Sequence, residues 1–453
     1  MTFTISPAEF DALHHDRLAV QIASYIASMP LGSVIAIQGP WGSGKTDVLA
    51  RVGATLSNQS GHTEPVGINP WKYGKADLIT PVVMELVVRV TRAKPGDQDK
   101  GKAFRKLAET VVRAGTAMAF KAVTVFAPFG EVLGAGQGAV DEYVKGLFNK
   151  PDGTPRDVED LDPVAEIARR FSALVGEYAA LVSAKGRLVV CVDDLDRCLP
   201  DQQIAMLEAI HFLTAAQAAC SFIVAIDPTL VRQAAETHYG TTRFDSHRYL
   251  DKLFDLRLNL PSLRADDIRP LFAELLARNV TEEGMMSAFG TSRDNIADAL
   301  AHVFVWPELT NPRLIVRTVK RLQLLADALV EADDVDLQDR PTLIPLCVWI
   351  AIAERWPQLR EILQATDAVN WENNVVLIAY HSGVTSVAET EDERDDLDAA
   401  LKSAANVLAR LPSPDQSPDL GPFLTHPIDG QINVLSMIAD LERCDAVCRR
   451  YGL

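Results

Sequence analysis

Gly39-Pro40-Trp41-Gly42-Ser43-Gly44-Lys45-Thr46 is the stretch on which the reading of this chain turns. It fits G-x-x-x-x-G-K-[ST], the spacing of a phosphate-binding loop. The residue types have separate physical jobs. Gly39, Gly42 and Gly44 let the backbone curl so that successive N–H groups converge on one anion. Lys45 reaches toward the β- and γ-phosphates, and the Thr46 hydroxyl is a ligand for Mg²⁺. Pro40, Trp41, Ser43 and Asp47 complete the wall of the expected nucleotide site. The flanks suit the motif. Ser33–Ile37 is a short apolar strand, and Asp47–Val52 begins a helix whose positive N-terminus faces the phosphates.

Working outward, strands and helices alternate. Phe10–Ser28 carries helical periodicity through Leu18, Ile22, Tyr25 and Ile26. Val66–Trp71 reads as a second strand running into a turn, Leu78–Val90 as an apolar helix, and Lys94–Lys106 as a basic, glycine-containing linker. After a polar loop at Asn149–Asp160 come a helix at Val164–Val182, an almost wholly apolar strand at Arg187–Val192, a helix at Gln202–Ala216 and a strand at Ser221–Ile226. Apolar strands of this kind are buried on both faces. Their alternation with helices predicts an α/β fold with a parallel sheet covered on both sides. From Asp266 onward only helical patterns are found. The acidic Glu389–Asp398 and the proline-rich Leu411–Pro422 read as solvated helix ends or loops.

The totals bound the function. A chain of 453 residues holds two or three domains, and 48% hydrophobic content supplies their cores. The net charge of −17 opposes general nucleic-acid binding, which needs basic surfaces. The six cysteines are scattered through apolar runs, as in a reduced cytosolic protein. Cys444 and Cys448 share a helix face, but no second Cys or His pair accompanies them to make a zinc site. The N-terminus lacks the basic start and apolar run of a secretory signal, and a cytoplasmic location is expected. Ala114–Val140 is apolar and rich in Gly and Ala, yet Lys121, Pro128 and Glu131 interrupt it before it reaches spanning length. Two readings stay open for it: a helical hairpin packed on the core, or an insert that binds a partner or lies on a membrane surface.

A phosphate-binding loop needs carboxylates for its cation and its water. The strand Leu188–Val192 ends in Asp193-Asp194-Leu195-Asp196-Arg197. Asp193 is the expected Mg²⁺ ligand with Thr46, and Asp194 the residue that orients the attacking water. The next strand ends at Asp227, where a phosphate sensor and a helix cap are equally suited. Asn311-Pro312-Arg313 opens a helix carrying Arg317, Lys320 and Arg321. Arg313 is the candidate to fold back onto the phosphates, which places it with Lys45 and Asp194 among the expected catalytic residues.

Taken together, GPWGSGKT at 39–46, NPWKY at 69–73, VDDLDRC at 192–198, AID at 225–227, YLDKLF at 249–254, NPR at 311–313 and ERWPQL at 354–359 resemble the KAP family of P-loop NTPases. That resemblance implies a P-loop core of the additional-strand class, related to AAA+ and STAND ATPases, with a helical lid. It places the core at residues 1–260 with an insert at about 95–160, the lid at 261–340 and a C-terminal helical region at 341–453. It implies ATP and Mg²⁺ as ligands, and a switch or assembly ATPase in a bacterial anti-phage defence or signalling complex with partner proteins. Many relatives carry membrane helices between the two phosphate-site motifs, a pattern from which Ala114–Val140 departs. A possible homo-oligomer follows from the same kinship, with Arg197 or Arg248 as candidates for an arginine acting on a neighbouring subunit's nucleotide. The alternative is a nucleotide-gated scaffold with negligible turnover. A small-molecule kinase is a third, weaker fit.

Overall fold

Three largely apolar strands set the architecture. In the computed structural model they are β1 (Val34–Gln38), β3 (Leu188–Val192) and β4 (Cys220–Ile226), and every residue of all three is buried. The short β2 (Val66–Ile68) and β5 (Leu256–Asn259) complete a five-stranded sheet in the order β2-β3-β4-β1-β5, parallel throughout. The structure describes residues 11, 13, 15–58, 65–72, 79–93, 104–109, 163–181, 188–215, 220–240, 245–307, 309–331, 342–364, 371–388, 390–404, 408–428 and 433–452. The 114–140 segment and the 149–160 loop lie outside these residues.

The period of two along each strand builds two cores. Val34, Ala36, Val190, Val192, Phe222 and Val224 face one side, where they pack with Phe171, Leu174, Leu207 and Ile210 of the helices Pro163–Leu181 and Pro200–Ala215. Ile35, Ile37, Val189, Cys191, Ile223 and Ala225 face the other. There they meet Ala19, Ile22 and Ile26 of α1 (His15–Ser28) and Val48, Leu49 and Val52 of α2 (Lys45–Asn58). This is the three-layer α/β sandwich that the alternation predicts. All five carboxyl ends open on one edge, where ligands of such sheets bind.

The chain divides into two compact units, Met1–Leu260 and Pro261–Leu453. Among the described residues the second is built from α- and 3₁₀-helices alone. Its buried acids are paired. Glu354, 1% exposed, meets Arg317 at 2.8 Å and also Arg321. Asp445 is fully buried and meets Arg449 and, at 2.7 Å, the amide of Gln364. The buried Trp356 donates its indole N–H to Ser417 Oγ at 2.7 Å.

Four local expectations change. β5 was not anticipated. Its Leu-Arg-Leu-Asn alternates partly buried with exposed, as an edge strand does, and it is too short to stand out. Residues 104–109, which overlap the end of the expected linker, are helical. The acidic stretch is itself a helix, Glu391–Ser403, with no buried residue. Thr390 and Glu393 close its N-terminus as a capping box. The proline-rich stretch is packed, since Ser417, Leu411 and Leu420 within it are buried.

Candidate active site

The phosphate-binding motif bridges the end of β1 and the start of α2. Gly39 N–H donates to Ile226 O of β4 at 3.2 Å, and Ser43 N–H donates to Pro40 O at 3.2 Å, which closes the turn. Gly42 and Gly44 take φ of 91° and 96°, where a side chain is strained. At Gly39 the constraint is space, because a Cβ there would lie 2.5 Å from Ser43 Oγ. Helix α2 begins at Lys45, so its first N–H groups point into the loop.

The three carboxylates after β3 each have their own partner. Asp193 accepts from the Thr46 hydroxyl at 2.8 Å and from Asp194 N–H at 2.9 Å. Burial pushes the Asp193 carboxyl above the ordinary aspartate range, the charges of Asp194 and Asp196 push it the same way, and the two hydrogen bonds oppose them. Asp194 accepts from Asn69 Nδ2 at 2.7 Å on one oxygen and pairs with Arg197 Nε at 2.8 Å on the other. Asp196 Oδ2 lies 3.3 Å from Lys45 Nζ, and Lys45 also donates to the carbonyls of Gly39 at 2.8 Å and Pro40 at 3.2 Å.

Asp194 is also the only non-glycine with positive φ among the described residues, at φ 56° and ψ 28°. Left-handed backbone costs an ordinary residue free energy and clusters at functional positions. Here it turns the chain from β3 into the 3₁₀ turn Leu195–Arg197, so that Asp194 and Asp196 leave the strand on different headings. Arg197 then lies over two indoles, 5.9 Å from the ring centre of Trp41 and 5.5 Å from that of Trp71. Both distances suit a cation–π contact.

The hard oxygen donors Thr46 Oγ1 and Asp193 Oδ2 are the donor type Mg²⁺ takes, and they lie within hydrogen-bond distance of one another. Mg²⁺ held by these two residues would favour the ionised form of the buried Asp193.

Other expected residues sit as follows. Asp227 caps the helix Pro228–Tyr239, accepting from Thr229 N–H at 3.0 Å. Asp47 Oδ2 is engaged by His15 Nδ1 and Arg51 Nε, both at 2.8 Å. Arg313 lies in the first turn of the helix Pro312–Glu331 in the second unit, with its N–H donating to Asn311 Oδ1 at 3.0 Å. Arg248 is 83% exposed and lies 3.7 Å from Asp245.

Two residues had no role assigned from sequence. Asn69 stands at the carboxyl end of β2, beside the phosphate edge, and a polar residue at that place is a readable signal. His15 offers none: a histidine at the start of an amphipathic helix looks like any other.

The ORC2 protein of Aeropyrum pernix, solved in ADPNP–ADP complexes, is similar at 12% identity and a TM-score of 0.41, over 98% of this chain and 95% of that one. No curated protein matches the sequence. The family model for the KAP family P-loop domain matches residues 15–329, which takes in the phosphate loop, the Asp193–Asp196 carboxylates and Arg313. The chain belongs to the KAP family of P-loop NTPases.

Proposed function

We propose that the protein binds Mg-ATP between the 39–46 loop and Asp193 and hydrolyses it, using the nucleotide state to switch the assembly of a larger complex. The observation that carries this reading is the Thr46–Asp193 pair, two oxygen ligands from separate elements held 2.8 Å apart beneath a loop of converging N–H groups. In it, Lys45 leaves Asp196 for the phosphates, and Asp194 orients the water. An anti-phage defence or signalling setting is part of the proposal and rests on the family resemblance.

A second reading is favoured by one observation. Both oxygens of Asp194 are occupied, by Asn69 and by Arg197. A chain that keeps them so with nucleotide bound is a nucleotide-gated scaffold with little turnover. Binding of Mg-ATP by calorimetry and steady-state release of phosphate separate the cases. The proposal expects binding by wild type and its loss in Lys45→Ala. It also expects turnover that Asp194→Asn lowers on the order of 10²–10⁴-fold with binding retained. Binding without turnover selects the scaffold. Equal binding by wild type and Lys45→Ala overturns both.

A further inference from the structure

Behind the phosphate loop, on the α1 side, lies a cluster of four linked side chains, His15, Asp47, Arg51 and Asp16. His15 Nδ1 lies 2.8 Å from Asp47 Oδ2, and the same oxygen accepts from Arg51 Nε at 2.8 Å. Arg51 Nη1 returns to Asp16, His15's neighbour in the chain, at 2.6 Å. Asp11 fixes the entry to α1 by accepting from the N–H groups of His15 at 2.6 Å and Asp16 at 2.9 Å. His15 is 2% exposed and Arg51 is 6% exposed. Asp11, His15 and Asp47 are close enough to share a metal ion, but the cation among these carboxylates is Arg51.

The cluster meets the loop at Gly44. A Cβ built on Gly44 would lie 2.5 Å from His15 Cε1 and 3.4 Å from each ring nitrogen, so the imidazole stands edge-on against the glycine. Gly44 is the residue whose φ of 96° turns the backbone into α2 immediately before Lys45. A glycine has wide backbone freedom and holds one conformation only when its surroundings do. His15 is anchored through Asp47 to the first turn of the same helix that Gly44 enters. It therefore braces the turn and the helix together.

We propose that His15 is a positioning residue for nucleotide binding, its imidazole ring being the seat that holds Gly44 in the anion-binding turn. The proposal rests on the reading of the loop as a nucleotide site. Preorganised donors bind without an ordering cost, so loss of the seat weakens binding. Shape is what seats the glycine, and the hydrogen bond to Asp47 only orients the ring.

Three variants of the full chain test this: His15→Ala, His15→Phe, which keeps a ring, and His15→Asn, which keeps a donor for Asp47. Kd for Mg²⁺ with a non-hydrolysable ATP analogue is measured by calorimetry, below the melting temperature of each variant. His15→Ala and His15→Asn are expected to bind at least tenfold more weakly than wild type, and His15→Phe within about threefold. A folded His15→Ala that binds within twofold of wild type overturns the proposal and leaves His15 a helix–helix contact. If His15→Ala does not fold, the comparison of the other two decides, and His15→Asn binding as tightly as His15→Phe overturns it. Wild type that binds no nucleotide fails the parent reading, and this one with it, a result distinct from equal binding by wild type and variant.

Discussion

Lys45→Met is expected to do two things, and the structure says how to separate them. It removes the cation proposed to meet the phosphates, and it orphans Asp196. The Lys45 and Asp196 side chains are 8% and 7% exposed, and they lie 3.3 Å apart. Asp196 Oδ2 has no hydrogen-bond donor, so the ammonium is what compensates it. The charges of Asp193 and Asp194 close by make that compensation more necessary. Removing one partner of a buried pair costs about 3–5 kcal/mol, while replacing both by apolar groups is often neutral. In a unit of this size each kcal/mol moves Tm by roughly 2–4 °C, so Lys45→Met should melt roughly 6–20 °C below wild type without nucleotide. Lys45→Met with Asp196→Leu should recover most of that loss. Neither variant should bind ATP. The assay is circular dichroism or calorimetric melting, with the transition of the nucleotide-binding unit assigned by its shift when wild type receives Mg-ATP. A single variant melting within about 2 °C of wild type refutes the reasoning, as does a double variant no more stable than the single.

Three further outcomes follow from the same site. The Asp193 carboxyl titrates above the ordinary aspartate range, so the metal-free fold holds that proton more tightly than the unfolded chain does. Its contribution is present at low pH and lost as pH rises from the ordinary range through the raised value. Asp193→Asn should therefore flatten that decline in Tm, stabilise the metal-free protein at neutral pH and abolish Mg²⁺-dependent binding, all read from melting curves across pH. Asn69→Ala removes the donor 2.7 Å from Asp194 Oδ2 and should change turnover by about tenfold or more while Kd for ATP stays within threefold. Unchanged phosphate release would reduce Asn69 to a structural contact. Asp227→Ala removes a helix cap and should cost about 1 kcal/mol in denaturant unfolding, with nucleotide affinity unchanged. A large loss of affinity would restore the phosphate-sensing role.

What the sequence could disclose follows a physical line. Features set by local backbone geometry or by strand and helix period were open to reading. Short apolar runs that alternate with helical patterns read as buried strands, and glycines at 39, 42 and 44 before Lys45 specify a phosphate-binding turn. The run of carboxylates after Val192 was visible for the same reason, because it directly follows a central strand. Features set by which side chains meet across the fold were not. Nothing local distinguishes Asn69 from a turn asparagine, yet 125 positions separate it from the carboxylate it holds. From sequence Arg197 is a candidate to act on another subunit, though an ion pair within its own chain is the simpler reading. In the structure it pairs with Asp194 and lies over two indoles.

That last pairing ties the loop to Asp194, the residue proposed to orient the water. Trp41 belongs to the phosphate loop and Trp71 to the turn after β2, while Arg197 touches both rings and binds Asp194. Asn69, two residues before Trp71, holds the other oxygen of the same carboxylate. Any shift of the loop that moves Trp41 therefore bears on the guanidinium that restrains Asp194. An arginine pinned by one carboxylate and two exposed tryptophans, 60% and 55% open to solvent, keeps its place through several moderate contacts rather than one strong one. On the proposed function, that arrangement lets the nucleotide state of the loop bear on Asp194 through Trp41 and Arg197.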